Sequence, residues 1–168
     1  MRRIIPIAAA LAFALLLCMI WYSWQVLVPS AGGLLPFDAR PFGYDPEEAL
    51  AYLRQLDSSG RAVYLLEMHW LDTAFPPVAA LAAGLGIVVA TRGRRRGLRL
   101  LLLVPVLAYL GADLAENATV QEMLRRNAEN FSPRLAEWAS LFTRLKFAFL
   151  LVTALVLAGL GRRRSDDG

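Results

Sequence analysis

Six polar side chains stand where polar groups are costly. Tyr109, Asp113, Glu116 and Asn117 occupy the second half of an apolar run from Leu98 to about Thr119. On a helix turning about 100° per residue they share one arc of roughly 100° and face a common neighbour. Asp72 lies in an earlier apolar run, with His69 about one turn before it, and Lys146 lies in a later one. Three chemistries suit this set. His69, Asp72, Asp113 and Glu116 are imidazole and carboxylate donors of the kind that hold a divalent metal, which could activate water against a lipid headgroup. Asp113, Glu116 and Asp72 could instead relay protons in transport. The third option involves no reaction: Lys146 neutralises Asp113 or Asp72, and the cluster fixes which helices meet.

Other chemistry is poorly represented. The one histidine suggests no Ser-His-Asp arrangement, and no glycine-rich phosphate loop is present. Cys18 is the sole cysteine, which excludes an intrachain disulfide or a CxxC metal site. Leu17 is bulky where a lipoprotein cleavage box before Cys18 would take a small residue. Asn117-Ala-Thr119 and Asn130-Phe-Ser132 match the glycosylation sequon, but the first falls inside an apolar run.

The elements that must position the cluster are membrane spans. A 57% hydrophobic content is too high for an ordinary soluble domain, and four runs, at about 4–28, 62–90, 98–119 and 141–160, match the ~20 residues that cross a bilayer. The first continues through Trp21, Tyr22 and Trp24, past the length of a cleaved signal peptide. Residues 29–61 form the one long polar connection. Its second half carries Asp45, Pro46 and Glu48, a capping box with proline at the first helical position. An amphipathic helix follows from Ala49 to Leu56, and Ser58-Ser59-Gly60 is expected to end it. Pro76-Pro77 fall within the second span, tolerable where a neighbour satisfies the freed carbonyl. Ala79, Ala80, Ala82, Ala83, Gly84 and Gly86 permit close helix approach. Ser132-Pro133 starts the last helix. Residues 1–164 read as one membrane domain and 165–168 as a disordered tail.

Charge orients the spans. Of the eighteen Lys and Arg, ten lie at the two termini and in the 91–99 turn, six lie on the opposite side, and Arg144 and Lys146 lie within the last span. Both termini are expected in the cytoplasm, with 29–61 and 120–132 outside. The basic turn orients helices and does not indicate nucleic acid. At 1.5 Å per residue, Asp113, Lys146, Glu116 and Asp72 lie about 22, 24, 27 and 28 Å from the cytoplasmic end. Three spans thus bring charge to one level, in the outer part. Arg144 and Lys146 are about 200° apart, so Lys146, which shares its face with Ala139, Thr143 and Thr153, points inward while Arg144 snorkels outward. Glu67 is about 140° from Asp72 and reads as interfacial.

Leu71-Asp72-x-x-Phe75-Pro76, Asp113-x-x-Glu116-Asn117 and Thr143-x-x-Lys146, with a Phe42-Gly43-Tyr44 loop, resemble the motifs of small four-span bacterial membrane proteins of unassigned function. The resemblance implies four spans and this polar set, and implies no reaction. The expected protein is an all-α, four-helix integral membrane bundle of a bacterial inner membrane, with an amphipathic helix outside it. Its leading role is structural or accessory, with no cofactor and with lipid, a second copy or a membrane protein as partner. A metal-dependent or acid–base enzyme and a proton-linked transporter component are the alternatives.

Overall fold

A computed structural model describes residues 3–166. Among them the regular structure is helical throughout: α1 (Ile4–Ser30), α2 (Pro46–Gln55), α3 (Ser58–Ala90), α4 (Arg96–Arg126) and α5 (Pro133–Asp166), with a 3₁₀ turn at Phe37–Ala39. The helices α1, α3, α4 and α5 are long and apolar enough to cross a membrane. Between 11% and 17% of each one's most apolar stretch is buried inside the protein. Much of the remainder, including Ile7, Phe13, Trp21, Trp70, Leu101, Leu107, Leu151 and Leu155, is exposed apolar surface beyond what a soluble monomer shows, as expected of helices covered by a bilayer. The chain is an all-α membrane bundle.

Each long helix packs on the next in sequence, α1 on α3, α3 on α4 and α4 on α5. This is the antiparallel order that short connections favour. It leaves the basic turn, Arg3 and Arg162 at one end of the bundle and residues 31–57 at the other. Two π-helical turns, Ser23–Leu27 in α1 and Tyr64–Met68 in α3, lie at that loop-bearing end.

Local chemistry sets the boundaries. Asp45 caps α2 as expected: its Oδ1 accepts from the Glu48 N–H at 2.8 Å, and Glu48 Oε2 accepts from the Asp45 N–H at 3.0 Å. The helix stops at Gln55 because Leu56 is extended. Ser58-Ser59-Gly60, expected to end α2, instead opens α3. Asp57 Oδ1 accepts from the Gly60 N–H at 2.7 Å and the Ser59 hydroxyl at 2.9 Å, a cap that starts a helix. Gly60 is there for close approach, since a Cβ would run into the Ser30 side chain. The Asp57 N–H completes the junction by donating to the Ser30 carbonyl at 2.9 Å. At the other end α5 continues through Ser165 and Asp166, into the segment expected to be a disordered tail. Asp167 and Gly168 lie outside the described residues.

The larger hydrophobic core lies under the loop. Phe37, Tyr44, Tyr52, Leu53 and Leu56 from the loop and α2 meet Leu27, Tyr64, Met68, Met123, Leu124 and Ala139 from the spans. Arg40 holds its guanidinium 5.7, 5.6 and 5.5 Å from the ring centroids of Phe37, Tyr44 and Tyr52, and donates to the Leu35 carbonyl. A smaller core of Ala80, Ile87 and Val106 joins the other halves of the spans. The loop is therefore a folded cap on the bundle.

Candidate functional site

The arc on α4 faces inward as a unit: Tyr109, Asp113, Glu116 and Asn117 are all buried. Opposite them on α5, Lys146 is buried and Arg144 is exposed, as their phase requires. Lys146 Nζ lies 3.7 Å from Asp113 Oδ1 and forms a closer ion pair with Glu116 Oε2. The other Glu116 oxygen, Oε1, accepts from the Thr143 hydroxyl at 2.5 Å. Thr143 and Lys146 are three apart on α5, and Asp113 and Glu116 are three apart on α4. Neighbouring turns of two helices thus meet through two pairs. A lysine ammonium already occupies the position between these carboxylates.

Asn117 acts on α3. Pro76 has no N–H to offer the Asp72 carbonyl four residues earlier, and Asn117 Nδ2 donates to that oxygen at 2.7 Å. One turn along α4, Gln121 Nε2 reaches the Leu65 carbonyl in the π-helical turn, at 3.4 Å. Two side chains of one helix face thereby serve the two irregular places in its neighbour.

Asp72 is buried, with a residual exposure of 7%. It shares a cavity of about 260 Å³ with Asp113, Lys146 and Tyr109. Leu16, Met19, Ile20, Ser23 and Trp24 of α1 and Phe147 and Leu150 of α5 form much of its wall. Leu16, Ile20, Trp24 and Leu150 are at the same time exposed. The cavity therefore opens sideways, between the first and last spans.

Asp38, outside the set expected from spacing, also lines this cavity. The 3₁₀ turn places it there, and the Tyr64 hydroxyl donates to Asp38 Oδ1 at 2.8 Å while accepting from the Phe37 N–H at 3.2 Å. Its signal lies in the folded cap, with no spacing in the sequence to reveal it. In that cap, burial pushes the phenols of Tyr44 and Tyr52 up, with the Glu116 charge adding to the first and the Asp38 charge to the second. Both stay neutral.

His69 is placed apart from this group. It is half-buried, its ring 6.3 Å from Trp70, and it does not line the cavity. Among the described residues no three His, Cys, Asp or Glu side chains converge as a metal site. Glu67 and Cys18 are exposed on the outside of the bundle. Compared with known proteins, the chain matches no family model, no curated sequence and no solved structure.

Proposed function

We propose that this chain is a structural or accessory protein of a bacterial inner membrane, without catalytic activity of its own, in which the buried charges hold α4 and α5 in register. The observation that carries this reading is the saturation of Lys146 by Glu116 and Asp113, with Thr143 completing the Glu116 carboxylate. Removing one partner of a buried pair costs ~3–5 kcal/mol, while removing both costs much less. The arrangement therefore selects one pairing of helices against others.

A double-mutant cycle tests it. Lys146→Met is expected to lower the thermal stability of the detergent-solubilised protein sharply, and adding Glu116→Gln is expected to recover a large part of the loss. Coupling of about 1 kcal/mol or more is expected for groups in one network. Strictly additive losses would remove the pairing from the account. Elemental analysis of the wild type beside Asp113→Ala/Glu116→Ala decides the class: a stoichiometric metal lost in the variant would replace this reading with a metal-dependent enzyme.

A further inference from the structure

We propose that the cavity between α1 and α5 is a binding site for a single-chain amphiphile with an amine head, drawn sideways from the surrounding bilayer, with the ammonium against Asp72. Two independent observations meet there. One is the space itself, about 260 Å³, which equals roughly nine water volumes. The other is Asp72: nine-tenths buried, lining that space, with no hydrogen bond or ion pair to its carboxylate among the described residues. Asp113 and Glu116 pair directly with Lys146, whereas Asp72 feels that charge without a direct ion pair.

Charge selects the head. Asp38, Asp72 and Asp113 line the cavity with a single lysine, so its wall carries more carboxylates than cations. A phosphate-bearing head would bring a further anion beside Asp113 and Asp72, with Lys146 already engaged. An amine brings the missing charge, and Asp38 at the cap supplies a second acceptor. Volume and wall select the tail. The space takes a small head and the first few carbons of one chain, and Ile20, Trp24 and Leu150 at the opening continue as an apolar surface for the rest. The cavity shares Asp113 and Lys146 with the α4–α5 pairing, but Asp72 and Asp38, which would hold the amine, take no part in that pairing.

The test uses the full chain in maltoside micelles, titrated with dodecylamine and with dodecanol, reading tryptophan fluorescence and thermal stability together. Dodecylamine is expected to bind at least tenfold tighter than dodecanol and to raise the melting temperature. Asp72→Asn is expected to abolish that preference. Ser23→Phe, which fills the cavity from α1 and leaves every carboxylate in place, is expected to abolish binding of both. Equal binding of amine and alcohol, or an amine preference that survives both substitutions, would overturn the proposal. Should Asp72→Asn fail to fold, Ser23→Phe and Asp38→Asn decide it: amine binding unchanged in both would overturn it. The Lys146–Glu116 cycle is read independently, so either proposal can fail alone.

Discussion

Asn117 explains how Pro76 is tolerated within a membrane-spanning helix. The proline removes the donor for the Asp72 carbonyl, and in a bilayer no water replaces it. The side-chain amide of Asn117 supplies the bond at 2.7 Å from the facing helix. Asn117→Leu is therefore expected to destabilise the bundle by ~1–2 kcal/mol, the range for a buried carbonyl left without a donor. In a Pro76→Ala background the backbone N–H returns and the same substitution is expected to cost almost nothing, measured as melting temperatures in detergent. An equal loss in both backgrounds would mean that Asn117 matters for packing alone. The sequence makes the need for such a donor legible at Pro76 and the availability of Asn117 legible from its phase on α4. Which carbonyl met which amide depended on the axial register of α3 against α4, a tertiary quantity. Lys146 is similar: its inward face follows from helical period, while its preference for Glu116 over Asp113 or Asp72 depends on side-chain reach.

Among the elements, the cap is where sequence reading stops and packing takes over. A capping box is local, so α2 begins at Pro46 as its residues dictate. Ser58-Ser59-Gly60 carries equally valid signals for ending one helix and starting another, and the contact with Ser30 resolves them. Asp57 then becomes a cap, and the Gly60 N–H, followed by the Ser59 hydroxyl, holds its carboxyl below the usual carboxylate range. A depressed value in the folded state means that its contribution is present above the unfolded value and is lost as pH falls through the folded one. The stability difference between wild type and Asp57→Asn, followed from pH 7 into acid, is expected to shrink across that window; a difference independent of pH would discard the cap's charge as its source. The attachment of the cap to α5 rests on Gly43, with φ of 81°, and on the Tyr44 N–H, which donates to Ser140 Oγ at 2.9 Å. A Cβ at Gly43 would sit 2.6 Å from that same oxygen. Gly43→Ala is expected to cost ~1–2 kcal/mol for the left-handed backbone alone and more for the clash. Gly33→Ala, at φ of 92° in open space, provides the backbone term by itself in thermal unfolding.

At the scale of the molecule the two ends of the bundle are marked by different residues. All four tryptophans, Trp21, Trp24, Trp70 and Trp138, are exposed and lie in the halves of the spans nearest the cap. The arginines of the 91–99 turn, with Arg3 and Arg162, lie at the other. Indole rings favour either interface of a bilayer, whereas an excess of Lys and Arg in short connections favours the cytoplasmic side. On this ground we propose that the arginine-rich end is inside and the cap outside, which would give the lateral opening of the cavity access to the outer part of the bilayer. Single-cysteine variants in a Cys18→Ala background test this. Ser59→Cys, exposed at the foot of the cap, is expected to react with a membrane-impermeant maleimide in sealed right-side-out vesicles. Gly97→Cys, in the basic turn with open space around it, is expected to react only after permeabilisation. The reverse pattern would invert the protein and place the Asp72 cavity in the cytoplasmic half, where the same amine-headed amphiphile would have to approach from the inner leaflet.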